Sequence, residues 1–134
     1  MSMAPDLEQL LQDIGALATE AVPEGEPKIL VWAEQEGGVV SADIIAGAVD
    51  DEATFRLCPP LLEQLIGAFW EEWREVPGNR EWIAMAYVIQ DGGYAIDLSY
   101  EDDFEDREEE IDDLRLRAIE KHFGAATIDY SRPS

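Results

Sequence analysis

Ten of the thirteen residues from Glu101 to Asp113 are carboxylates: Glu101, Asp102, Asp103, Glu105, Asp106, Glu108, Glu109, Glu110, Asp112 and Asp113. Arg107 is the one base among them. Carboxylates at this density can hold a hard cation through oxygen, exchange protons as a general acid and base, or present a negative field to a basic partner. The spacing separates these. There is no D-x-[DN]-x-[DN]-G run with a Glu at its twelfth position, so no EF-hand loop and no metal site is expected. Acid–base pairs are so abundant that none stands out. A helix start uses a few acids against its macrodipole, each worth roughly 0.3–1 kcal/mol and only within the first turn. Like charges at i, i+4 then oppose the helix. The surplus is best explained by a surface that receives a basic partner.

Other reactive residues are few. His122, the only histidine, falls near a predicted helix C-terminus, where it serves as a dipole or surface residue rather than a base. Cys58 precedes Pro59–Pro60, has no histidine relay, and reads as a half-buried small hydrophobe. A single cysteine allows no internal disulfide, which favours a reducing compartment. No P-loop, G-x-G-x-x-G or zinc spacing occurs. No catalytic residue, metal or cofactor is expected.

The elements that must position the acidic block follow from periodicity. Leu7, Leu10, Leu11, Ile14, Leu17 and Ala18 make a narrow stripe, which predicts a helix over 3–21 at the edge of the core. KILVWAE (Lys28–Glu34) and VVSADII (Val39–Ile45) read as strands joined at QEGG. Both faces of the first carry apolar residues, as in a central strand. Thr54–Leu57 is a candidate third strand. Pro59–Pro60 opens a helix with a wide apolar face from Leu61 to Trp73, ended by Pro77–Gly78–Asn79; Gly67 is expected to let it approach a strand.

WIAMAYVIQ and YAIDLSY flank DGG as a second hairpin. Trp82 alternates with Ile83 and shares a face with Ala84, Ala86 and Val88. Tyr94, Ile96, Leu98 and Tyr100 face the core, and Asp97 and Ser99 the wetter side. A last helix is predicted from Asp103 to Phe123, with an Asp106/Glu109 capping box and Gly124 as its C-cap. Residues 125–134 form a tail. The fold class is α+β: an antiparallel sheet of four to five strands from two hairpins, with N-terminal, central and C-terminal helices packed mainly on one face.

The whole chain sharpens the charge argument. It has 134 residues, enough for one domain with a real core, and its hydrophobic fraction is 46%. Lys+Arg is 9 and Asp+Glu is 31, a formal net charge of −22. A magnitude of roughly 2–8 keeps a small domain soluble, and self-repulsion beyond that destabilises the compact state. Nucleic acid is disfavoured as a partner, because phosphate contacts need Lys and Arg. MSMAPDLEQLLQ is no signal peptide and no run suits a membrane span, so a cytoplasmic location is expected.

Residues 82–104 carry a resemblance: WIAMAY, then DGGYAIDLSYED, before an acidic-to-basic helix. This stretch, and the Lys28–Glu34 strand ending Ala33-Glu34 before a Gly-containing turn, resemble the YezG-like immunity proteins. Their hairpin ends in a segment that corresponds here to Asp97-Leu98-Ser99-Tyr100-Glu101-Asp102. Glu105–Asp113 is more acidic than the family pattern, and segment 42–53 is rich in Ala where that pattern has an aromatic strand. The resemblance implies a YezG-like domain over 1–134 and an antitoxin role: binding and neutralising a cognate toxin domain, often a nuclease. A nuclease is basic because it holds phosphates, which agrees with the charge argument.

The expected partner-binding surface is Asp97, Ser99, Tyr100, Glu101, Asp102, Asp103, Glu105, Asp106 and Glu109. Trp82 and Tyr100 are candidate rim anchors, although periodicity favours the core for both. The alternatives are an acidic adaptor or a halophile's housekeeping domain, and an enzyme pairing carboxylates with Mg²⁺. A homodimer through a sheet edge is left open.

Overall fold

The computed structural model describes residues 5–22, 27–47, 53–103, 105, 107–124 and 128–129. The order is α1 (Pro5–Glu20), β1 (Lys28–Glu36), β2 (Val39–Gly47), β3 (Ala53–Leu57), α2 (Pro60–Glu75), β4 (Trp82–Gln90), β5 (Gly93–Tyr100), a 3₁₀ turn (Glu101–Asp103), α3 (Arg107–Phe123) and β6 (Ile128–Asp129). The fold is α+β. Five antiparallel strands come from the two hairpins and β3, and the sheet order is β5-β4-β1-β2-β3-β6. β6 pairs in parallel with β3, so part of the expected tail joins the sheet.

Both hairpins turn on two residues with positive φ, Gly37 and Gly38 in one, Asp91 and Gly92 in the other. That geometry matches the twist of the flanking strands. β1 is central, as its two apolar faces predict, between β4 and β2.

Two of the three helices share one face. Leu7, Leu11, Ile14 and Ala18 of α1 and Leu62, Ile66, Phe69, Trp70 and Trp73 of α2 pack with Val31, Ile44, Met85 and Tyr87 of the sheet. The narrow α1 stripe is not confined to the core's edge: four of its six residues, Leu7, Leu11, Ile14 and Ala18, are fully buried, and Leu10 and Leu17 are half-buried. The reason is that α2 lies beside α1 and covers what the sheet alone would leave open. Gly67 has no role in close approach, since a Cβ there would meet nothing within 4 Å. The other face is covered by α3, whose Ile111, Ile119 and Phe123 pack on Leu30, Trp32, Ile83, Ala84, Ala86 and Val88.

A register shift between Trp82 and Ala84 corrects the expected alternation in β4. It turns Trp82 to the α1/α2 face, with Met85 and Tyr87, instead of the face of Ala84 and Ala86. A bulge of this kind re-aims one side chain at a strand end. α3 starts at Arg107 rather than Asp103, because the 3₁₀ turn takes Glu101–Asp103. The expected capping box falls on Asp106, outside the described residues. The Glu105 backbone N–H donates to Glu110 Oε2 at 2.5 Å, which reaches back over the helix start. Gly124 caps the other end at positive φ, its N–H donating to the Glu120 carbonyl at 2.7 Å.

Candidate functional site

The end of the sheet where β1 turns into β2 and β5 runs into the 3₁₀ turn gathers carboxylates from several elements. Glu34 and Glu36 of β1, with Asp112 of α3, line one depression of about 430 Å³ together with Val39 and Ser41 of β2. Beside it, Glu71 of α2, Glu81 and Glu101 surround the tip of the β1–β2 hairpin. Glu101 and Asp102 line a third depression with Arg80 and Tyr100. The three hollows share Gln35 as a common wall. Gln35 is itself buried, and its Oε1 accepts from the Gly38 N–H at 3.1 Å. That bond holds the hairpin tip and so fixes where Glu34 and Glu36 project. Val39 is 72% exposed at the same end, an apolar contact among acids.

The α2–β4 connection is fixed by side chains of the core. Trp73 Nε1 donates to the Arg80 carbonyl at 2.7 Å, and Trp70 Nε1 to the Trp82 carbonyl at 3.0 Å. Asn79 Nδ2 donates to the Trp73 carbonyl at 3.2 Å. With its backbone held, Arg80 stacks on the Tyr100 ring, 4.3 Å from the centroid, and pairs with Asp102 at 3.1 Å. Arg74 does the same nearby: it lies 5.0 Å over Trp70 and pairs with Glu81 at 3.3 Å. Both pairs are exposed and individually weak.

The expected surface residues fall in two places. Glu101, Asp102, Glu105 and Glu109 are exposed on the acidic end or the first turn of α3 beside it. Tyr100 leads into that end, but it is only 9% exposed and belongs to the core, as does Trp82 at 0%. Neither ring is a rim anchor. Asp106 and the side chain of Asp103 lie outside the described residues.

Asp97 and Ser99 are elsewhere. Asp97 is exposed and Ser99 half-buried, so their face of β5 is the wet one, as alternation predicts. It is one wall of a groove of about 310 Å³ whose other wall is the C-terminal half of α3. There Arg117, Lys121 and His122 face them. Alternation along β5 marks this side as wet but does not show what stands across from it: α3 does, because it packs on the apolar residues of β1 and β4 on the same face.

Sequence reasoning treated Gln35–Gly38 only as a turn and so missed Glu34, Glu36, Glu71, Glu81 and Val39. One signal was available: Glu34 and Glu36 flank a single residue at a predicted strand end, beside a turn that must be exposed.

The remaining reactive groups are held inert. Burial, reinforced by Glu63 and Asp43, pushes the Cys58 thiol up to about 12, so it stays protonated and weakly nucleophilic near neutrality. Burial and the neighbouring Tyr94 raise Tyr87, whose hydroxyl donates to the Leu11 carbonyl at 2.6 Å. Among the described residues, no group of three or more His, Cys, Asp or Glu side chains is arranged to hold a metal. No described helix is long and apolar enough to cross a membrane. No protein-family model matches the chain, and comparison with curated proteins found no match.

Proposed function

We propose that the protein is a non-enzymatic immunity protein, an antitoxin that binds a basic toxin domain, often of the nuclease class, and blocks it stoichiometrically in the cytoplasm. The observation that carries this reading is the convergence of carboxylates from β1, α2, the Glu81 segment, the 3₁₀ turn and α3 on one end of the sheet. A net charge of −22 gives that end a long-range pull on a cationic partner. The hollows between the carboxylates suit protruding Lys and Arg side chains, and exposed Val39 supplies an apolar contact. The resemblance of residues 82–104 to YezG-like immunity proteins points the same way.

The test is capture from the source cell. The tagged full-length protein should retain, in one-to-one amount, a polypeptide with a strongly basic domain, identified by mass spectrometry. That polypeptide should be toxic when expressed alone and harmless when co-expressed. Retention of no basic protein, or of one whose toxicity is unaffected by co-expression, contradicts the antitoxin reading.

A further inference from the structure

The groove between α3 and the β4–β5 side of the sheet lies outside the acidic end and has the opposite charge. The chain has 9 Lys and Arg and one His against 31 acids, yet Arg117, Lys121 and His122 all line this one cavity. Among the described residues neither Arg117 nor Lys121 is paired with a carboxylate, whereas Arg74, Arg80 and Arg115 each are. The single acid in the lining is Asp97. Buried Lys28, at the start of β1, adds to the positive field there.

The floor is apolar. Trp32, Ala86 and Val88 rise from β1 and β4, and Ala118 of α3 and Ala95 of β5 stand on either side. The hollow exists because three of these positions are alanines; larger side chains would fill it. Trp32 is held with its ring in the floor because its Nε1 donates to Glu34 Oε2 at 2.7 Å. An apolar floor with a few charged groups on the rim is the usual make-up of a small-ligand site, and about 310 Å³ is at the small end of that range.

We propose that this groove binds a small amphipathic anion, a carboxylate or sulfonate carried on an aromatic or short aliphatic body. The body would lie on Trp32 and the alanines. The anionic group would sit between Arg117 and Lys121, where charge-assisted hydrogen bonds are available, with the Ser99 hydroxyl as a further donor. His122 reports the field at the site. Its imidazole is held below 6.5 by burial, then by Lys28 and Lys121, against the opposing pull of Asp97. An occupying anion reverses part of that field and should raise the imidazole.

The experiment titrates the intact protein with naphthoate and follows the resonances of His122, the only histidine, across pH, with calorimetry alongside. Uncharged naphthylmethanol and cationic naphthylmethylammonium serve as controls. Naphthoate should bind saturably and raise the His122 midpoint. The controls should bind at least several-fold more weakly. Arg117→Gln with Lys121→Gln should weaken naphthoate roughly tenfold, the loss of one charge-assisted bond or more. Ala118→Leu should abolish binding by filling the floor. Asp97→Asn should strengthen it, an effect that a damaged fold cannot imitate. Equal binding of the anion and the neutral control, or naphthoate binding unmoved by these variants, overturns the proposal. So does tighter binding of an acidic peptide that protects the β5 amides, since that result assigns the groove to strand addition.

Discussion

The guanidinium of Arg80 lies 4.3 Å from the centre of the Tyr100 ring, and the same group reaches Asp102 at 3.1 Å. One cation thus ties the segment entering β4 to the segment leaving β5, and it does so inside the most acidic part of the molecule. Tyr100 pairs with Trp82 across the two strands, so the contact closes the hairpin at its open end. Arg80→Gln should therefore cost about 1 kcal/mol, the sum of an exposed cation–π contact and a surface ion pair. Urea unfolding at low and high salt checks this. The loss should shrink as salt rises, because screening weakens the ion pair in the wild type as well.

A second prediction concerns α1 and β4. A Cβ added at Gly15 would stand 2.6 Å from the Tyr87 hydroxyl. That hydroxyl cannot swing away freely, because it donates to the Leu11 carbonyl and its ring stacks on Tyr94 at 5.1 Å between centroids. Gly15→Ala should destabilise the wild type by about 1–3 kcal/mol, as overpacking does. In a Tyr87→Phe background the obstructing oxygen is gone and the same change should cost clearly less. A double-mutant cycle by thermal or urea unfolding measures the difference. Additive losses would mean that the hydroxyl is not the obstacle.

His122 makes a pH prediction with a definite sign. Its folded pKa lies below 6.5, chiefly through burial and then through Lys28 and Lys121. The fold favours the neutral ring. The stability that this represents is present above the unfolded value and is lost as pH falls through 6.5 toward the folded value. The stability of the wild type relative to His122→Gln should therefore fall between about pH 7.5 and about pH 5.5, a window above the ordinary carboxylate range. Unfolding of both proteins at several pH values checks it. An unchanged or rising difference would show that protonation is tolerated at this site.

Periodicity made the elements legible: both hairpins, the central place of β1, the α2 face and the Gly124 cap all follow from spacing and turn chemistry. Three features were not legible, and each depends on packing between distant elements. The bulge that turns Trp82 to the α1/α2 face leaves no mark in a run as evenly apolar as WIAMAYVIQ. The wall that α3 raises across the groove from Asp97 and Ser99 is the second, and only the two-faced apolar pattern of β1 and β4 hinted that a second layer was needed. The acidic end was half visible. The block after Tyr100 announces itself by composition, but Glu34, Glu36, Glu71 and Glu81 join it only because β1 and β5 end on the same side of the sheet. Arg80 and Asp102 are 22 residues apart, so nothing local marked their pairing.

The most direct measurement for the acidic end is the association rate of the captured basic partner, followed by stopped flow across ionic strength. Wild type is compared with Glu101→Lys, Asp102→Lys and Glu105→Lys combined. If this end steers and receives the partner, the wild-type rate falls steeply as salt rises from about 0.05 to about 0.5 M, by an order of magnitude or more. The triple reversal should lower the low-salt rate by a similar factor, with a flatter salt dependence. A wild-type rate indifferent to salt and unchanged by reversing these three charges would contradict the assignment of this surface.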